Sequence, residues 1–343
     1  MDTEFHYYMM YLVAAKAGFG AGEAGKIAYA SQYVDDNSLI LEIDKDQASA
    51  YRNYISQTMN ILKPKSTLFR IYPLFHFIPG DPVSTTAFRK DGKMHWLNTT
   101  PRSENARKIM DAACATGDLY RLGVACHSYA DTWAHQNFVG YCDGFNALAS
   151  PLSHVVPNIG HADAQHNPDW PALVWRDTRL LEERRDNKAL FLEAAQHLLH
   201  RLAKFADPAL TDRGLGEKTA ALLDDLAAAI GERDQKNAYV EERIARYREL
   251  SCQSGYGATE LPVYDDDQWL AEALHEEVRG LRDQDDDTLS RWDPLTDVYT
   301  WANREEYQQT DWYRFQEAVK DHQNTAWDIV SATNLKGLQL PEL

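Results

Sequence analysis

Apolar residues recur three or four positions apart along most of the chain, a spacing typical of amphipathic helices. This pattern predicts helices over residues 4–17, 22–34, 47–61, 102–117, 118–138, 171–204, 214–231, 236–252, 267–282 and 309–335. Glycines separate the first two predicted helices, and Pro64 follows the third. The sequence therefore predicts a mainly α-helical fold.

Four stretches depart from this pattern. Residues 67–79 are apolar and aromatic with two prolines, which favours a buried extended segment. Residues 81–100 and 140–170 indicate loops, and a loop as long as the second one usually carries function. The acidic run 283–287 lacks the glycine and the spaced glutamate of a calcium loop, so we interpret it as solvated.

No internal repeat or clear linker divides the 343 residues. As a working division we predict a metal-binding helical core over residues 1–205, with a helical C-terminal part, residues 206–343, packed on it. A single domain is the alternative.

Composition narrows the possible partners. The hydrophobic fraction of 44% is ordinary for a folded protein, but the formal net charge is −17. Such a surface repels phosphate backbones, so we expect no stable nucleic-acid binding. The chain lacks a C-x-x-C pair, a basic N-terminal region and an apolar run of eighteen residues. We therefore expect a cytoplasmic protein with reduced thiols and no transmembrane segment.

Several residues that could bind a metal lie on one predicted helix. His127, Asp131 and His135 are four residues apart, and each step of four advances about 40° around a helix, so all three share one face. Their neighbours are mostly apolar, and buried polar groups without partners are costly. Imidazole and carboxylate are ligands that zinc accepts. The spacing therefore predicts a metal site.

Further candidate ligands lie elsewhere. The segment PNIGHADAQHNPDWP contains His161, Asp163, His166 and Asp169. Outside it are His6 on the first predicted helix, Asp35 and Asp36 at the end of the second, and His76 in PLFHFIP. Each of these, taken singly, also fits a structural role in the core or in a solvated turn.

Taken in order, these fragments resemble the zinc-dependent phospholipase C superfamily, which includes secreted single-strand nucleases. The match falls on His6, Asp35 after IAYASQYV, His76 in LFHFI, His127 and Asp131 in HSYAD, His135, and His161 in NIGH. It covers residues 1–170. The resemblance implies a multi-helix bundle, two or three zinc ions held by these residues, and an uncharacterised bacterial branch of the superfamily.

The sequence departs from that superfamily at three points. His135 follows Asp131 by four residues, where the superfamily has five. Gln165 stands where it has an acidic ligand, which leaves Asp163 or His166 as a replacement. The superfamily also uses an N-terminal amine, so a third metal here needs the Met1 amine or Asp2.

Two functions follow from the resemblance. The first is a metal-dependent hydrolase of a phosphate ester or phosphodiester, with Asp131 bridging two metals and a small phosphoester or lipid-headgroup-like substrate. The alternative is a non-catalytic metal-binding structural or interaction protein, with a protein partner at the C-terminal half. A phosphohydrolase of the HD type is disfavoured, because the chain has no adjacent His-Asp pair.

Overall fold

The computed structural model describes residues 1–58, 69–83, 88–148, 159–233, 237–277 and 298–335. The chain is mainly helical, which confirms the predicted fold class. A π-helix, Glu4–Met9, comes first. The α-helices that follow are α1 (Met10–Ala17), α2 (Ala21–Asp36), α3 (Tyr72–Phe75), α4 (Glu104–Thr116), α5 (Leu119–Ala134), α6 (Asn187–Ala206), α7 (Asp212–Ile230), α8 (Val240–Ser251), α9 (Gln268–Ala273) and α10 (Asp311–Ala332).

Local signals set the boundaries of the central helices. The Ser103 hydroxyl accepts the N–H of Ala106 at the start of α4, and Gly117 ends that helix with a left-handed φ of 69°. The Asp118 carboxylate then accepts the N–H of Arg121, which starts α5. One helix therefore ends and the next begins within two residues.

Helix α5 is the centre of the fold, because all its residues from Tyr120 to Ala134 are buried. It packs against α2, α4, α6 and α10. Gly123 lets α2 approach closely: a Cβ atom there would lie 2.6 Å from the Ile27 carbonyl oxygen. This close approach places the C-terminal end of α2 beside the polar face of α5.

Short strands form two sheets that the sequence pattern did not predict. One sheet has the order β2 (Tyr51–Arg52), β1 (Glu42–Ile43), β6 (Val298–Trp301), β5 (Leu274–Glu277). The other is the hairpin of β3 (Val174–Arg176) and β4 (Arg184–Asp186). Strands β1 and β6 pair in parallel although they are far apart in sequence.

These strands correct three predictions. The helix predicted over 47–61 is wrong, because β2 pairs with β1 there and the Trp301 indole donates to the Ser49 carbonyl at 2.9 Å. The helix predicted over 171–204 begins only at Asn187, after the hairpin. The helix predicted over 267–282 ends at Ala273 and continues as β5.

Three further predictions concern residues 67–79, the acidic run and membrane spans. The extended segment predicted over 67–79 is wrong in part, because it contains the short helix α3, in which Pro73 occupies the first turn. The acidic run 283–287 lies outside the described residues. Among the described residues, no helix is both long and apolar enough to cross a membrane.

Both sides of the predicted boundary at residue 205 contribute to one buried hydrophobic cluster. A buried ion pair also joins them, since the Arg243 guanidinium on α8 donates twice to the Glu4 carboxylate at 2.8 Å. The two-part division stays a prediction about how the chain is organised.

Candidate metal centre

Separate elements bring the candidate ligands to one place. His127 and Asp131 project from α5, and His135 follows directly as its C-terminal cap. His6 lies in the π-helix, a rare conformation that is frequent at functional sites. Asp35, in the last turn of α2, completes this side of the centre. His76 is the residue that ends α3, and His161 lies in the loop that follows residue 158.

Asp131 is the hub of the arrangement, and its side chain is only 1% exposed. Its Oδ1 atom lies 2.6 Å from the Met1 amine and 3.1 Å from His6 Nε2. Its Oδ2 atom lies between 3.2 and 3.5 Å from ring nitrogens of His127, His76 and His135. One carboxylate therefore faces two different sets of ligands with its two oxygens.

The described residues contain three groups of His and Asp that could hold a metal ion. They are His6 with His127 and Asp131, then Asp35 with His76 and His127, and finally His135 with His161 and Asp169. Within each group the ligand atoms lie within 4.8 Å of one another. The first two groups share His127, and Asp131 Oδ2 lies near His135 of the third. The centre thus has room for more than one ion.

Four of the histidines are oriented by hydrogen bonds from their outer ring nitrogens to backbone carbonyls. The pairs are His127 Nδ1 with Ser31 at 2.8 Å, His76 Nε2 with Ser56 at 3.0 Å, His135 Nδ1 with His76 at 2.8 Å and His161 Nδ1 with Gln165 at 2.7 Å. A carbonyl accepts only, so each outer nitrogen carries the proton. Such second contacts hold metal-binding histidines in one tautomer and one orientation.

This orientation leaves two lone pairs facing each other. His127 Nε2 and His76 Nδ1 are 3.0 Å apart, and both rings use their proton on the opposite side. Two neutral imidazoles in this arrangement repel, and only a cation or an added proton between them removes the repulsion. The Asp131 carboxylate lies beside both nitrogens, which makes the position attractive for a cation.

The pKa values of the buried groups are consistent with ligands that compete little with protons. Burial lowers the pKa of His6, of His127 and of His161 to about 4 in each case. Burial alone would raise the pKa of Asp131 and of Asp169, but neighbouring histidines and the Met1 amine hold both well below the usual range. Near neutral pH these three imidazoles are therefore neutral and both carboxylates are ionised, the forms that bind metals. Burial also favours the neutral form of His76, but its contacts with Asp131 and Asp35 outweigh burial and raise its pKa.

A cavity of about 750 Å³ opens onto one side of the centre. Asp35, His76, Asp131, His135, His161 and Asp169 line its floor, and Gln32, Gln57, Tyr72, Phe77, Ile159 and Gln165 are among the residues of its walls. His161 retains 19% of its side-chain exposure, whereas His6 and His127 are fully buried. All three residues of the third ligand group therefore line the cavity, whereas the first group reaches it only through Asp131.

The seven main candidate ligands from the sequence all lie in the centre: His6, Asp35, His76, His127, Asp131, His135 and His161. The four secondary candidates lie outside the three groups. The Asp36 carboxylate accepts from Tyr264 and Gln32, and the Asp163 carboxylate accepts the N–H of Leu148. His166 is 74% exposed with its Nδ1 atom 3.6 Å from Asp169, and the half-buried Asp2 carboxylate accepts the N–H of Glu4 at 3.2 Å.

Asp169 belongs to the third group, although the sequence argument named it only among the candidates of the loop and did not select it. It lies in the predicted loop, but the superfamily's spacing pointed four residues after His161, to Gln165, and not eight residues after it. In the structure Gln165 has a φ of 54°, and its carbonyl accepts a hydrogen bond from His161 Nδ1 at 2.7 Å. The flanking Pro168 and Trp170 are the only sequence signals that Asp169 is buried.

Comparison with known proteins gives one result for the whole chain. Neither the curated proteins nor the solved structures contain a match. Residues 1–330, which include every ligand described above, match a family described as DUF6765, a family of unknown function. The chain therefore belongs to the DUF6765 family.

Proposed function

We propose that this protein is a metal-dependent hydrolase of phosphate esters or phosphodiesters, with zinc as the resident metal. The observation that carries the proposal is the pair of facing imidazole nitrogens, His127 Nε2 and His76 Nδ1, beside the Asp131 carboxylate. A cation between these nitrogens, or a shared proton, removes the repulsion of their lone pairs, and imidazole with carboxylate oxygen fits zinc.

Hydrolysis is favoured by the position of the cavity. A bound divalent ion lowers the pKa of a coordinated water and stabilises charge on phosphoryl oxygens. The protein positions the metal ligands: the two oxygens of Asp131 face two ligand sets. His135, His161 and Asp169 line a cavity that is large enough for a small substrate. The resemblance to the zinc-dependent phospholipase C superfamily supports a phosphoester as the bond that is cleaved.

The second candidate is a metalloprotein without catalysis, and the closed first group favours it. His6, His127 and Asp131 are at most 1% exposed, so an ion there would be almost fully enclosed by protein, as in structural metal sites. The two proposed functions make different demands on the third group, because a purely structural protein does not need that group to be open to the cavity.

Metal analysis with a phosphodiesterase assay tests the proposal. We expect the purified protein to retain two or more zinc ions per chain and to hydrolyse bis(4-nitrophenyl) phosphate. In Asp131→Ala, metal affinity should fall by more than the 10- to 100-fold typical for loss of an outer contact, and hydrolysis should disappear.

Asp163→Ala is the matched control, since its carboxylate lies outside the ligand groups. Wild-type protein that retains zinc but hydrolyses no phosphoester would exclude the hydrolase and support the metalloprotein without catalysis. A wild-type protein without metal would contradict both proposed functions, and so would an Asp131→Ala variant that keeps its full metal content.

A further inference from the structure

A second cavity, of about 620 Å³, lies between α4 and α6. Tyr129 lines it, two positions from both His127 and Asp131 on α5. Two residues advance about 200° around a helix, so this cavity and the metal centre occupy roughly opposite faces of α5. Among the described residues, no side chain lines both cavities.

The lining of this second cavity is basic, although the chain as a whole carries a net charge of −17. Its basic side chains are Arg102, Arg107, His197, His200, Arg201 and Lys204. Asp111 pairs with Arg201, and Asp212 lies 3.4 Å from Lys204. Among the described residues, Arg102 has no ion pair, and the charge of Arg107 is offset only in part by the nearby Glu104 carboxylate.

Arg102 and Arg107 are both exposed, and contacts with the protein orient Arg102. Arg102 has a left-handed φ of 52°, which is unusual for a residue with a side chain, and its backbone N–H donates to the Thr132 hydroxyl at 3.1 Å. Its Nη1 atom lies 3.3 Å from His197 Nε2, and the His197 ring stacks on Trp133 at 5.5 Å. Strained backbone that holds a side chain in this way is frequent where ligands bind.

Clustered like charges repel, so this cluster is stabilised by an anion. A guanidinium presents paired N–H donors that match phosphate oxygens, and a phosphate monoester carries close to two negative charges at neutral pH. We propose that this cavity binds the phosphate group of a small phosphorylated molecule, independently of the metal centre.

Calorimetric titration of metal-stripped protein, with chelator present and ionic strength held constant, tests this proposal. The probes are inorganic phosphate and phenyl phosphate, and neither can bind through a metal under these conditions. We expect saturable binding of both at one site per chain. In Arg102→Gln/Arg107→Gln the affinity should fall at least tenfold, which corresponds to about 1.4 kcal/mol.

Arg213→Gln/Arg314→Gln is the control, because both arginines are exposed and lie outside the cavity. Circular dichroism checks that each variant is folded. If metal removal unfolds the chain, the same titration is run on metal-loaded protein, and the expected result is the loss of one bound phosphate in the cavity variant alone.

Three results would overturn the proposal. They are no saturable binding by the wild type, equal affinity in the cavity variant, and competition by chloride as strong as that by phosphate at equal ionic strength. Binding of inorganic phosphate without binding of phenyl phosphate also contradicts it, because the site then excludes the ester.

Discussion

The metal centre has an inner and an outer group that differ in burial and in the elements that hold them. The inner group is His6, His127 and Asp131, held by the π-helix and α5 and closed to solvent. The outer group is His135, His161 and Asp169, and two of its members come from the loop after residue 158. His161 and Asp169 remain 19% and 10% exposed.

Because of this difference in burial, we expect the two groups to have different functions. Closed sites with all positions filled by the protein stabilise a fold, and sites with an open position bind and activate a small molecule. We therefore expect the inner group to contribute mainly to stability and the outer group mainly to turnover. The following three predictions test this assignment.

Among variants that leave Asp131 in place, loss of the outer carboxylate should produce the largest effect on activity. Asp169→Asn removes an anion that lies 3.4 Å from His135 and 3.6 Å from His161, so the outer ion should be lost. Hydrolysis should fall by roughly 100-fold or more, because the open position disappears. About one ion per chain should be lost, and the melting temperature should change little.

The exposed neighbour His166 is the control for that variant. His166→Ala removes a side chain that is 74% exposed and is not needed to close the outer group, so activity should change by less than about threefold if the substitution acts as an ordinary surface change. A fall as large as that of Asp169→Asn would show that the outer group extends further than the three residues.

Loss of an inner ligand should act on stability. His6→Gln removes a nitrogen that lies 3.1 Å from Asp131, and a binding partner present at about 1,000 times its Kd stabilises by about 4 kcal/mol. Chelation should lower the melting temperature of the wild type by several degrees and that of the variant much less. Equal effects of chelator on both proteins would remove the distinction between the groups.

The pH dependence of metal retention gives the smallest and most gradual effect. The pKa of His6, of His127 and of His161 is lowered to about 4, so these groups stay neutral in the folded chain while unfolded histidines begin to protonate near 6.5. Their contribution to stability is therefore present above about pH 6.5 and is lost as the pH falls towards 4.

Metal content measured by equilibrium dialysis should accordingly be constant from pH 8 to about 6.5 and decline below it. Half-loss near pH 7 would show that the imidazoles are far more accessible to protons than their burial implies.

The helices could be predicted from sequence because their signals are local. The caps at Ser103 and Asp118 and the apolar periodicity around them lie within one or two turns. The sheet could not, since β1 depends on a partner near residue 299. Residues 47–61 have enough apolar character for a helix, but β2 in this stretch pairs with β1, which in turn pairs with the distant β6.

The same contrast applies to the candidate site. His127, Asp131 and His135 share one helix, so their spacing alone predicted that they meet. His6, Asp35, His76 and His161 were placed by resemblance in residue order. Asp169 was named among the loop candidates but not selected, because its loop approaches the centre through tertiary contacts, such as the hydrogen bond from the Asp2 N–H to its carbonyl at 3.3 Å.

The pairing of Glu4 with Arg243 has a consequence for dissecting this protein. Cutting the chain at residue 205 would remove Arg243 and leave the buried Glu4 carboxylate, two residues before His6, without its ion-pair partner. A buried charge that loses its partner in this way typically destabilises the fold by about 3–5 kcal/mol. Shortened versions made for crystallisation or engineering should therefore retain α8, or replace Glu4 with a neutral side chain of similar size.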